Sequence, residues 1–277
     1  MIKGIGLTIA FLLAALCMMP DVRAKVDGWE EDFFKANQSY RENKFQEAIE
    51  GYLRLIRSGH GGGQVYYNLG NAYFRASQLG RAILEYERAL LLMPRDPDLK
   101  FNLSHARDQT RDAILESRGS MGTVFFWLGS FSLNELFWCL AVLNILLWAA
   151  LLIRLFHRAE WLYYMLLLIV SCWFVAGLSF GLKCYLVSSD DRAVILQKEV
   201  NILAGPETDD TVLFKLHEGT LVNQERKEDG WSLVCLPDQK RGWIKSEAVG
   251  LIAREASRPP EPGIPSTSPH PLRRPQE

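Results

Sequence analysis

Three groups of residues in this chain have the types and spacing that recognition or catalysis needs. The first sets carboxamides beside aromatic rings: Phe33, Asn37 and Tyr40; Tyr67, Asn68, Asn71 and Phe74; Phe101 and Asn102. Amides hydrogen-bond a peptide backbone while rings cover its side chains, so one surface carrying all nine would hold an extended peptide or a partner helix. The second is the pair Trp231 and Trp243, either a platform for a peptide or cell-wall glycopeptide or a packing pair across two strands. The third is the glycine run Gly59-His60-Gly61-Gly62-Gly63. A phosphate-binding loop would need a following Gly-Lys-Ser/Thr and a preceding strand; this run has neither and reads as a connector. The five cysteines contain no C-x-x-C pair and the five histidines stand singly, so neither a zinc site nor a thiol redox motif is expected. No nucleophile, base and cofactor loop occur together, so no catalytic residue and no cofactor are assigned.

The elements that must position these groups come in blocks. From Ala36 a pattern recurs at an offset of 34: Ala36 with Gly70, Tyr40 with Phe74, Phe45 with Leu79, Ala48 with Ala82, Tyr52 with Tyr86 and Leu55 with Ala89. The second copy, YYNLGNAYFRASQLGRAILEYERALLLMPRD, closely resembles a tetratricopeptide repeat. Small residues at Gly70 and Ala82 let two antiparallel helices approach, and Tyr73, Leu79, Tyr86 and Ala89 fill the space to the next hairpin. Such hairpins bury their apolar face only by stacking. We therefore expect an all-α domain over 25–118, with repeats at about 29–62 and 63–96. A closing helix at 98–117 would carry Leu99, Leu103, Ala106 and Thr110 on one stripe. The first helices of such arrays form a concave groove, which is where the nine amide and aromatic residues fall. Tyr67 and Asn68 are also consensus positions that can serve only to orient helices.

Two apolar runs follow, each of about 20 residues and so long enough to cross a hydrocarbon core of roughly 30 Å. They place transmembrane helices at 133–153 and 161–183, joined by a short loop at 154–160 that carries Arg154 and Arg158. The positive-inside bias puts that loop in the cytoplasm, which sends both flanking modules to the opposite side. Lys3, the apolar run to Met19 and Val22-Arg23-Ala24 read as a signal peptide over 1–24, which agrees with that topology. Residues 119–132, rich in aromatics, are expected at the lipid interface, and Gly177 with Gly181 permits close helix approach.

After Ser188 the pattern changes to short alternating strands: 194–196, 200–203, 211–216, 220–224, 230–236 and 241–245, separated by Gly-Pro, Glu-Gly and Asp-Gly turns. Gly205-Pro206, Asp229-Gly230-Trp231 and Gly242-Trp243-Ile244 resemble the bacterial SH3-like domain, an all-β barrel here expected over 189–254. Seven prolines between Glu255 and Glu277 predict a disordered tail. With 31 Lys and Arg against 32 Asp and Glu, the chain lacks the basic surplus of a nucleic-acid binder.

The expected whole is a multidomain membrane protein: tetratricopeptide helical hairpins, a two-helix transmembrane hairpin and an SH3-like barrel. This order, with the repeat above and the DLKFNLSHARD that follows it, resembles the BatE family of aerotolerance-operon proteins. The resemblance implies an inner-membrane location and a stress-tolerance or envelope assembly with von Willebrand A-domain membrane proteins and a MoxR-type ATPase. The expected role is a non-enzymatic scaffold holding partner proteins on the extracytoplasmic side. The alternative is a sensor whose SH3-like domain binds peptidoglycan.

Overall fold

The computed structural model describes residues 28–112, 126–157 and 159–253. The expected signal peptide at 1–24, the interfacial stretch as far as 125, the bend residue Arg158 and the tail over 255–277 lie outside the described residues.

Among the described residues five helices come first: α1 (Trp29–Arg41), α2 (Phe45–Arg57), α3 (Gly63–Arg75), α4 (Leu79–Leu92) and α5 (Pro97–Arg107). The α1–α2 and α3–α4 corners repeat each other. Asn43 and Ser77, 34 residues apart, both take left-handed backbone with φ of 59° and 58°. In each corner the next amide reaches back five residues, Lys44 N to Ser39 O and Gln78 N to Tyr73 O, both at 2.9 Å. The stacked helices bury Ala36, Ala48, Tyr52, Leu55, Leu69, Ala82, Tyr86 and Ala89. Gly70 has no side chain because the Tyr86 ring occupies that space; a Cβ would lie 2.6 Å from Tyr86 Cδ1.

Helix α5 closes the array with Leu99, Leu103 and Ala106, and Asp96 caps its start by accepting from Leu99 N at 2.9 Å. The closing helix expected to reach residue 117 stops at Arg107. Thr110, expected on its buried stripe, instead donates through Oγ1 to Arg107 O at 2.8 Å, and the chain turns away toward the last module.

Two long helices follow, α6 (Leu133–Phe156, 24 residues) and α7 (Glu160–Ser188, 29 residues). Both are long and apolar enough to cross a membrane, and only 11% and 6% of their most apolar windows is buried. A core helix of a soluble protein would be covered; here Ile145, Trp148, Leu155, Trp161 and Phe174 are bare. Both helices run beyond the expected bounds, so the loop expected over 154–160 shrinks to residues 157–159 and α7 continues to within four residues of the first strand. Gly177 meets Leu140 of α6 only at 3.9 Å, and Gly181 meets nothing within 4 Å, so this glycine pair does not mark a tight crossing.

The last module is an antiparallel sheet of β1 (Arg192–Ile195), β2 (Glu199–Leu203), β3 (Val212–His217), β4 (Leu221–Glu228), β5 (Trp231–Cys235), β6 (Arg241–Lys245) and β7 (Val249–Leu251). Its hydrogen-bonded order is β3-β2-β6-β5-β4-β1-β7. Strand β7 was not expected from sequence. It is three residues long and follows a short 3-10 turn, Ser246–Ala248, so it lacks a readable alternation.

Strand β1 ties the two soluble modules together. Ala193 and Ile195 point into the sheet's own core with Ile202, Val222, Val234 and Ile244. Val194, between them, points the other way and joins Ile83, Leu84 and Tyr86 in the repeat core, where Ile252 also lies. The β7 edge is covered from the same side, since Gly250 lies against Leu84. Gly80 makes the closest approach: any Cβ there would run into the backbone of Ile195 and Leu196. Gly80→Val should therefore destabilise the docked pair by about 1–3 kcal/mol. Thermal unfolding and small-angle scattering should show a lower melting point and a larger particle. Gly62→Ala, where nothing lies within 4 Å, should change neither.

Candidate partner groove and interdomain face

The groove residues form a repeated hydrogen-bond pattern. Asn37 Oδ1 accepts from Tyr52 Oη at 2.6 Å and from Asn68 Nδ2 at 2.9 Å. One repeat later Asn71 Oδ1 accepts from Tyr86 Oη at 2.8 Å and from Asn102 Nδ2 at 3.0 Å. Each asparagine thus joins its own hairpin's second helix to the next hairpin's first. Burial raises the Tyr52 phenol to about 12 and pushes Tyr86 up as well, so both remain protonated donors at any physiological pH. With their oxygens committed to these bonds, Asn37 and Asn71 tie successive helices together, and Asn71 also hydrogen-bonds the Tyr67 side chain.

A cavity of about 220 Å³ collects Asn37, Tyr40, Asn68 and Asn71, together with Tyr52, read from sequence only as a repeat position, and Arg41, which sequence reasoning did not single out. Tyr67 and Asn102 form the neighbouring rung, with Asn102 Nδ2 donating to Tyr67 Oη at 2.9 Å. Burial also raises the Tyr67 phenol. Phe33 packs half-buried against Tyr52, ring centroids 6.3 Å apart. Phe74 and Phe101 flank His105, and Phe101 is 71% exposed at the groove's last helix. Arg41 lies 5.7 Å over the Phe34 ring, adding a cation to the opposite end.

The two tryptophans separate. Trp243 is 7% exposed, with the Arg226 guanidinium 5.3 Å over its ring, so it is packing and not a platform. Trp231 is half-buried at the start of β5 opposite Glu228 and Lys245.

The interdomain face is polar as well as apolar. Arg88 is buried; it donates to Glu85 Oε1 and crosses to Leu251 O, both at 2.9 Å. Glu87, 1% exposed, pairs with Arg107 and lies 3.8 Å from Arg192 of β1. Beyond α5, the Asp112 carboxylate accepts from His217 N at 2.8 Å, His217 Nδ1 at 2.9 Å and Thr220 Oγ1 at 2.6 Å. An acid, an imidazole and a hydroxyl together invite a catalytic reading. The Thr220 hydroxyl, however, donates to Asp112 and not to the imidazole, so the three do not form an acid–imidazole–hydroxyl relay. The trio is a latch. Among the described residues no group of three or more His, Cys, Asp or Glu could hold a metal ion.

Comparison with known families finds two matches. The bacterial SH3 domain model matches residues 197–250, and the tetratricopeptide repeat model matches residues 63–96. None of the curated proteins compared matches the chain. The repeat match covers α3 and α4; α1 and α2 continue the same hydrogen-bond pattern outside it.

Two outcomes follow from this geometry. Asn71→Ala leaves the buried Tyr86 hydroxyl without its acceptor and should cost about 1–3 kcal/mol in urea unfolding. Adding Tyr86→Phe should cost less than the sum of the single changes. At Asp112 burial raises the carboxyl pKa, but hydrogen bonds from Thr220 and His217 outweigh it and hold the value below its ordinary 3.8. Its folded pKa lies below the unfolded one, so the latch contributes fully above 3.8 and fades as pH falls through the depressed value. Asp112→Asn should remove that acid-dependent loss of docking, followed by interdomain crosslinking across an acid titration.

Proposed function

We propose that this chain is a membrane-anchored, non-enzymatic adaptor whose repeat groove holds a partner protein on the extracytoplasmic side. One observation carries the reading: a cavity of about 220 Å³ gathers Asn37, Tyr40, Asn68 and Asn71 beside the cation of Arg41, and the bare ring of Phe101 lies on the array's last helix. An extended segment with acceptors along its backbone and an acidic or aromatic end fits that surface. The two family matches support an interaction role, since both modules are of kinds used for binding. The bare apolar surface of α6 and α7 supports a two-span anchor, and arginine at the bend supports a cytoplasmic loop. The docking of both modules on one another supports placing them on one side.

The order of parts, resembling the BatE family, favours an assembly with von Willebrand A-domain membrane proteins and a MoxR-type ATPase. The alternative, a peptidoglycan sensor, draws support from the bacterial SH3 match, but Trp243, which it would need at the surface, is buried.

The test uses exposed residues outside the hydrogen-bond ladder. Arg41→Glu combined with Phe101→Ala should abolish co-purification of membrane partners after crosslinking in intact membranes. Stability should stay within about 0.5 kcal/mol, as expected for exposed positions. Partners retained at wild-type levels would move the binding surface elsewhere.

A further inference from the structure

A second cavity, of about 260 Å³, opens where the repeat array, the hairpin and the sheet meet. Its walls include Leu90 and Leu91 of α4, Lys100 of α5, Gly129 before α6, Lys183 near the end of α7 and Arg192 of β1. Every one of the three parts contributes, so the cavity exists only in the docked chain. Its cations are Lys100, Lys183 and Arg192. The one acid in its wall, Glu87, is held by Arg107 and lies 3.8 Å from Arg192. Arg192 is braced by Asp190, with Nε and Nη2 each 2.8 Å from a carboxylate oxygen. Lys183 Nζ donates to Leu128 O at 2.8 Å, and among the described residues neither Lys183 nor Lys100 has a carboxylate partner. Among the described residues the two lysines are therefore the cations of this lining that no carboxylate neutralises.

The position of this surplus identifies its ligand. Lys183 ends the apolar run of α7, and Gly129 lies four residues before α6 begins. Around them the chain is fastened as it leaves the hairpin. Trp127 Nε1 donates to Ser179 Oγ at 3.2 Å, Ser132 and Glu135 close a capping box, and Arg95 pairs with Glu135 while lying 5.2 Å over Phe131. If α6 and α7 cross the bilayer, the cavity stands at the level of the lipid headgroups, with Leu90 and Leu91 on its apolar side. We propose that it binds the phosphodiester of an anionic phospholipid, with Lys100 and Lys183 contacting the phosphate. The proposal rests on the membrane reading of the hairpin. Its volume falls short of the ~300–1,000 Å³ of pockets that enclose whole drug-sized ligands, which suits a headgroup whose tails stay in the bilayer.

Native mass spectrometry of the full chain, released from micelles holding equal phosphatidylglycerol and phosphatidylcholine, tests this. Phosphatidylglycerol adducts should exceed phosphatidylcholine adducts by about tenfold or more, given the attraction expected of two basic side chains near the surface. Lys100→Gln with Lys183→Gln should bring the two lipids to parity. Lys100→Gln alone, at an exposed site that leaves folding intact, should lower the preference several-fold. Equal adducts in the wild type, or a preference unchanged in either variant, overturns the proposal. Displacement of the lipid by millimolar inorganic phosphate makes this a free-anion site and overturns the lipid assignment. Vesicle flotation separates the two premises. A chain that floats without lipid preference refutes the cavity alone, and a chain that does not float refutes the anchor beneath it.

Discussion

Helix α4 carries Glu85, Glu87 and Arg88 into the interior, and the way those charges are satisfied governs where every other part of the molecule can go. On one side α4 packs Ala82, Tyr86 and Ala89 into the repeat array. On the other it meets β1, β7 and the turn at Gly219, so its charged residues find partners on both sides: Arg107 from the array, Arg192 and the Leu251 carbonyl from the sheet. A buried charge without a partner costs several kcal/mol, roughly, even after relaxation. The array alone would leave this face solvated and unpaired with β1. The sheet alone would expose Val194, Ile252 and an uncovered β7 edge. Each module completes the other, and this mutual dependence is the constraint from which the rest follows.

The hairpin then becomes part of the same constraint. Residues entering α6 and leaving α7 must emerge close together, because the modules they carry share a core. Helix α7 serves this by continuing through Ser188 and reaching β1 after a three-residue gap. Arg95, Glu135, Ser132 and Lys183 fasten the junction where the array, the hairpin and the sheet converge. The groove's cavity is lined by α1, α2 and α3, with α5 adding Asn102 and Phe101, while the sheet packs on α4. Docking leaves the asparagine ladder open and rigidly oriented, the arrangement an adaptor needs.

Much of this was legible in the chain. The 34-residue offset fixed the two hairpins, and the same offset relates Asn37 to Asn71, Tyr52 to Tyr86 and Asn68 to Asn102, so the ladder itself was there to be read. Apolar length marked the hairpin, and turn residues marked six of the seven strands. The interdomain core was not legible. Glu85, Glu87 and Arg88 fall at helical spacing that looks like a solvated face, and only the tertiary partner reveals them as buried. Asp112 and Thr110 looked like continuing helix because helical spacing says nothing about a sheet 105 residues later in the chain. Trp243 was ambiguous because strand packing and ligand platforms use the same ring, and Arg226 decides it from the neighbouring hairpin.

The two modules meet face to face, and the proposed function places them outside the cytoplasm. Asp112→Cys with Thr220→Cys, in a chain whose native cysteines are replaced by serine, places one thiol on each side of the latch. A short thiol crosslinker that cannot pass the inner membrane, added to spheroplasts, should join the pair into a species that stays intact after cleavage between α6 and α7. Joining only after the cells are lysed would put the modules on the cytoplasmic side. Two thiols that are both labelled yet never joined would show that the modules do not dock.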